Sequence, residues 1–169
     1  VERIRIFYIS NLWIVILSAV LWYTFQHLAE YIAHKVPKKW LSPKGFLFKE
    51  RKWEKGGAVY TKIFKVKKWK KYLPDGAAVR KNGYQKKNLT DYSTENLERF
   101  LLESCRAELV HLLSIVPFWV FGLFAPVEII FYMLIYALAV NLPCIIVQRY
   151  NRPRISKLIQ RKKGAMEQL

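Results

Sequence analysis

Between Ile6 and Ala29 the chain reads IFYISNLWIVILSAVLWYTFQHLA, 24 residues without a Lys, Arg, Asp or Glu. At about 1.5 Å per residue a helix of that length crosses a hydrocarbon core of about 30 Å. Inside that core the backbone must satisfy its own donors and acceptors, so an isolated stretch has to be helical. A cleaved signal peptide would show a shorter apolar core and a small-residue cleavage site. Here Trp22, Tyr23, Phe25, Gln26 and His27 follow instead, and the stretch is expected to stay as an anchor.

A second apolar block, Leu109 to Val147, is interrupted by GLFAPVE (Gly122 to Glu128). Two helices fit, roughly Leu109–Phe124 and Val127–Val147, the first of them short unless it begins near Arg106. A hairpin of two spans joined by a Gly/Pro turn is the favoured arrangement, with a re-entrant pair as the alternative. Composition supports the division: 53% hydrophobic residues coexist with 29 Lys and Arg against 12 Asp and Glu, a mixture unusual for a soluble globule. The two populations are segregated. Only Arg3 and Arg5 precede the first apolar stretch, and the other cations fall between His34 and Arg106 or after Val147. The bias of cations toward the cytoplasmic side then predicts a multi-pass membrane protein with its N-terminus outside and its long loop and tail inside. The expected fold is an all-α integral membrane protein of about three transmembrane helices with a basic, aromatic-rich cytoplasmic loop. Its parts are a first span over 1–33, the loop over 34–93, a helix entering the second span plus the third span over 94–148, and a basic tail over 149–169.

The loop is too long for a connector and too aromatic to be disordered, so it is expected to fold. Trp40, Trp53, Tyr60, Phe64, Trp69 and Tyr72 alternate with lysines. That pattern suits nucleic acid or anionic lipid headgroups, and beside a span the lipid surface is the better match. PKKWLSPKG (Pro37 to Gly45) is a turn-rich exit from the membrane, Tyr60 to Trp69 fits either a short strand or an interfacial helix, and LPDG (Leu73 to Gly76) is a turn. STENLERF carries a hydroxyl cap followed by acidic residues, which starts a helix near Thr94. Cys105 and Cys144 match no metal or redox spacing and are expected to act as small apolar residues. No metal site is indicated.

Two polar clusters flank the apolar block. At helical spacing Arg106 lies one turn from Glu103, and His111 one turn from Glu108. Ionisable groups at that depth either pair and snorkel or face a cavity and perform chemistry. The second cluster, NLPCIIVQRYNRPR (Asn141 to Arg154), combines Asn141, Gln148, Arg149, Tyr150, Asn151, Arg152 and Arg154, donors that suit a phosphate, a carboxylate or a sugar hydroxyl. Pro117 and Pro143 each remove a backbone donor within the apolar block. In the topology above both clusters lie on the cytoplasmic side and can form one site.

The runs ESCRAELVH, NLPCIIVQRYNRPR and KIFKVKKWKKYLPDG together resemble the glycosyl-4,4'-diaponeurosporenoate acyltransferases, which finish staphyloxanthin-type carotenoids. The resemblance extends from the first span to about Leu158. It implies transfer of a fatty acyl group to the primary hydroxyl of the glucose on a glycosylated C30 carotenoid, with an acyl donor and no further cofactor. Residue roles come from general base chemistry: His111 takes the hydroxyl proton and Glu108 orients its imidazole. Arg149, Asn151 and Arg152, with Gln148 and Asn141, hold substrate or stabilise the oxyanion, while Glu103 and Arg106 are supporting. The His-then-Asp signature of glycerolipid acyltransferases is absent, since Val116 stands five positions after His111 and Ile32 five after His27. A related membrane transferase acting on another glycolipid or isoprenoid, and a non-catalytic polybasic adaptor, are the competing functions.

Overall fold

The structure, a computed structural model, describes residues 5–73 and 91–166. Every described element is helical. Three helical stretches are long and apolar enough to cross a membrane: Asn11–Lys35, Thr94–Leu123 and Val127–Met166. The chain divides into two compact units, one of Val1–Lys35 with Glu108–Ile145 and the other of Val36–Ala107 with Ile146–Leu169.

In the first unit, α1 (Asn11–Lys35) contains no Gly or Pro and is followed by Pro37, which cannot extend a helical ladder. Its buried positions, Ile14, Ser18, Ala29 and Ala33, recur at helical spacing along one stripe, and three of the four are small. Small side chains let backbones approach closely where lipid supplies no hydrophobic drive for helix pairing. The opposite faces expose Leu12, Trp13, Val15, Val20 and Tyr23, an arrangement suited to lipid as solvent.

The second apolar stretch comprises the C-terminal part of α4 (Thr94–Ile115) and a 3₁₀ segment, Val116–Leu123. Pro117 explains the change, because it has no N–H to continue the α ladder and the chain tightens. A turn follows. The Ala125 N–H donates to the Phe121 carbonyl at 2.8 Å, and the Pro126 carbonyl accepts from Ile129 and Ile130 at the start of α5 (Val127–Met166). Gly122 gives room to Ile130: a Cβ there would lie 2.7 Å from Ile130 Cδ1, and that side chain would have to shift. The core of this unit is Ile14, Phe121, Phe124 and Ala125, packed by Trp22, Phe25 and Met133. Trp22 stacks near Phe121 and Tyr136, and its indole N–H donates to Met133 Sδ at 3.2 Å.

In the second unit the loop folds, as its aromatic content predicts. Pro37 to Gly45 forms a 3₁₀ turn (Lys38–Trp40) and bends. Tyr60 to Trp69, which fits strand or helix in the sequence, forms two short helices, α2 (Ala58–Lys62) and α3 (Val66–Trp69), broken at Lys65 with φ 49°. The LPDG turn beyond Leu73 lies outside the described residues. Tyr60, Val66 and Tyr150 form a buried cluster covered by Trp69, Ile146 and Val147; each such side chain removed from water contributes about 1.5–3 kcal/mol. α4 begins where its cap predicts. The Asn96 N–H donates to Ser93 Oγ at 3.3 Å, and Asp91 accepts from both the Ser93 N–H and its hydroxyl at 2.8 Å. α5 runs without a break through Pro143, Pro153 and the basic residues after Arg149 to Met166. Residues 149–166 are therefore helical, carried by good helix formers and by buried Tyr150, Arg152 and Ile159 on one face.

Candidate functional site

Each apolar stretch places polar side chains inside the first unit. Glu108, on α4, is fully buried, and Ser114, Asn141 and Ser18 are also buried. Glu108, His111 and Ser114 follow one another at three-residue spacing, so they share one face of α4. His111 Nδ1 lies 2.8 Å from Asn141 Oδ1 on α5, and the same amide donates from Nδ2 to the Ala137 carbonyl at 2.9 Å. Because Ala137 engages the amide nitrogen, the amide oxygen faces the imidazole. The Nδ1 position must then carry a proton, which in the neutral ring puts the imidazole lone pair on Nε2. The Ser114 hydroxyl lies 3.0 Å from Gln26 Oε1 on α1 and 2.9 Å from the Val110 carbonyl. α1, α4 and α5 each supply a member of this set of polar contacts, of which Ser114 and Asn141 are buried, His111 half-buried and Gln26 exposed; polar side chains within candidate spans are candidates for a site.

Asn141, expected from sequence to contact substrate, is thus the side chain bonded to the His111 ring. Gln26 and Ser114 escaped the sequence analysis because each reads alone as a tolerated polar residue in an apolar run. Only the tertiary pairing, 88 residues apart, links them.

The other expected residues lie in the second unit. Arg149 forms a salt bridge to Glu54 at 2.7 Å, with the glutamate almost fully buried, and donates to the Leu47 carbonyl at 2.8 Å. Arg152 is buried at 4% exposure, donates to the Phe48 carbonyl at 2.7 Å and lies over the Phe48 ring. Both arginines therefore tie the loop to α5. Gln148 Oε1 is buried without a hydrogen-bond partner among the described residues, and Asn151 is half-buried. Arg106 pairs with Glu103, the supporting contact its spacing predicts. Among the described residues no group of three or more His, Cys, Asp or Glu is arranged to hold a metal ion.

Residues 37–161 match the sequence profile of the glycosyl-4,4'-diaponeurosporenoate acyltransferase family. A protein of that name from Staphylococcus aureus (strain Newman) is 35% identical over 145 residues, covering 85% of this chain and 87% of its own length. The chain belongs to this family. A glycosyl-4,4'-diaponeurosporenoate acyltransferase from Staphylococcus haemolyticus (strain JCSC1435) is likewise 35% identical over 145 residues, 86% of this chain and 84% of the relative. No solved structure matches the chain. As a member of an acyltransferase family in carotenoid biosynthesis, the protein combines three candidate spans among the described residues with a half-buried His111 bonded to a buried Asn141, and the family's matched region includes both residues.

Proposed function

We propose that the protein transfers a fatty acyl group to the primary hydroxyl of the glucose on a glycosylated C30 carotenoid at a bacterial cell membrane. The observation that carries this is the His111–Asn141 bond, which fixes a basic imidazole nitrogen within the apolar part of the fold. In the reaction His111 Nε2 takes the hydroxyl proton as the sugar oxygen attacks the acyl carbonyl. The tetrahedral intermediate collapses, the bond between the acyl carbon and the donor's leaving group breaks, and the proton passes from the imidazole to that leaving group. Asn141 positions the ring through Nδ1, and Glu108, buried one turn before His111 on the same face of α4, helps to orient it. Family membership supports the substrate class, because the relatives are named for it. Arg149, Asn151, Arg152 and Gln148 remain the proposed substrate contacts at the basic end of the apolar run; for Arg149 and Arg152 this requires exchanging Glu54 and Phe48 for substrate.

His111→Ala, expressed in a carotenoid-producing host lacking its own enzyme, is expected to insert normally and to lower acylation by about 10²–10⁴-fold. Normal product from that variant overturns the assignment of the base. Mass spectra of lipid extracts from the wild-type host, in which an acylated lipid other than the carotenoid glucoside appears, replace the acceptor and keep the chemistry.

A further inference from the structure

Arg149, Arg106 and Lys163 each face their own carboxylate, Glu54, Glu103 and Glu98. Among the described residues, a second set of cations in the second unit is placed differently. The Arg154 guanidinium carbon is 3.7 Å from the centre of the Tyr150 ring, and Lys70 Nζ is 5.0 Å from the same centre. Tyr150 is 3% exposed, a fixed platform for both. The bonds of Arg154 go to neutral oxygens, the Tyr150 carbonyl at 2.6 Å and the Thr61 hydroxyl at 3.1 Å. Lys67 is one turn before Lys70, and Lys157 one turn after Arg154 on α5.

Two of these cations, Arg154 and Lys157, border a left-handed turn in which Lys55, Gly56 and Gly57 have φ of 48°, 66° and 82°. A Cβ on Gly56 would lie 3.4 Å from Lys157 Nζ, and one on Gly57 would lie 3.1 Å from Arg154 Nη1. The glycines therefore keep the space beside the cations open. Glu50, near this turn, accepts from the Gly56 N–H. Burial and the fields of Arg154 and Lys67 hold the Lys70 ammonium below the usual lysine range, the mark of gathered like charges. Along α5, Arg154 stands seven residues past Val147, about 10 Å beyond the end of the apolar block, a distance that suits the headgroup layer.

We propose that Lys67, Lys70, Arg154 and Lys157, framed by Tyr150 and the turn at Lys55–Gly57, form a binding site for a phosphate group presented at the membrane surface. The planar fork of Arg154 addresses two phosphate oxygens, and the lysines act as point charges. The site deepens the acyl-transfer reading, on which this clause alone rests: a phosphopantetheine thioester and a phospholipid are both acyl donors that carry phosphate.

The test uses the full chain in phosphatidylcholine nanodiscs titrated with coenzyme A and, in a second arm, in nanodiscs doped with phosphatidylglycerol, whose retention through detergent exchange is read by mass. Lys70→Gln/Arg154→Gln is expected to weaken binding at least tenfold in one arm, which identifies the phosphate's source. Lys70→Arg/Arg154→Lys should stay within about threefold of wild type. Arg161→Gln/Lys162→Gln, removing equal charge elsewhere, should change nothing. Wild-type binding of both probes by Lys70→Gln/Arg154→Gln, or an equal loss in the Arg161/Lys162 variant, overturns the site. If the first variant does not fold, Lys67→Gln and Lys157→Gln, both at exposed positions, take its place: each should lose about threefold, and no loss in either is equally fatal. Binding needs no turnover, so an inactive carotenoid assay with intact binding would remove the acceptor assignment and leave the phosphate site standing.

Discussion

A single side-chain amide decides which nitrogen of His111 is basic. Replacing it with an isosteric apolar group, Asn141→Leu, removes the bond to Nδ1 without opening a large void. Turnover is expected to fall by about tenfold, the worth of one hydrogen bond of about 1–1.5 kcal/mol, with KM nearly unchanged because the ring and not the substrate is released. Loss of the protein from the membrane fraction would show a purely structural role. Glu54→Gln tests the opposite situation, a buried carboxylate that neutralises a cation. Arg149 is only partly shielded, at 16% side-chain exposure, so the expected loss is about 2–3 kcal/mol, somewhat below that for breaking a fully buried pair. Protease sensitivity between Leu47 and Tyr60 would report it. Asp91 provides a pH dependence. Its carboxyl is held below its ordinary value of 3.8 by bonds from the Ser93 backbone and hydroxyl. A depressed folded value means the stabilisation is complete above about pH 4 and disappears as pH falls through that lower value. Hydrogen exchange at the Asn96 and Leu97 amides should accelerate over that acid range in wild type and be flat in Asp91→Ala.

Elements show what local sequence specifies and what it does not. The start of α4 was legible because a cap is a local device: Ser93 and the residues after it carry the whole signal. The first span was legible from an uncharged run alone. The 3₁₀ continuation after Ile115 and the passage of α5 through Pro143 and Pro153 were not, because the cost of a lost backbone bond is local while the packing that offsets it is tertiary. The His111–Asn141 and Arg149–Glu54 pairings join residues 30 and 95 apart, so the sequence supplied the polar residues but not their partners. The turn between Lys52 and Ala58 carries its own test. Gly57 has φ 82° and Arg154 Nη1 beside it, and Gly57→Ala is expected to cost about 1–2 kcal/mol. The loss would appear as a lower midpoint of thermal unfolding in detergent, whereas Gly164→Ala, with nothing within 4 Å of its added carbon, should be neutral or slightly stabilising.

At the scale of the molecule, the number of apolar helices among the described residues was readable from hydropathy. Orientation is a prediction of the cation bias. In a chain whose native cysteines are replaced by serine, Ser42→Cys and Ser156→Cys should react with an impermeant maleimide only after the cells are opened, and Ser10→Cys in intact cells. Reaction of all three in intact cells, or the reverse pattern, refutes the assignment.

The imidazole on α4 finds its amide only on α5, the last of the three apolar helices to leave the ribosome. A nascent chain halted at the Gly122–Glu128 turn would carry the histidine without the amide that engages its Nδ1. Under the proposed base assignment, competence waits for α5, and a chain lacking that helix is expected to be inactive.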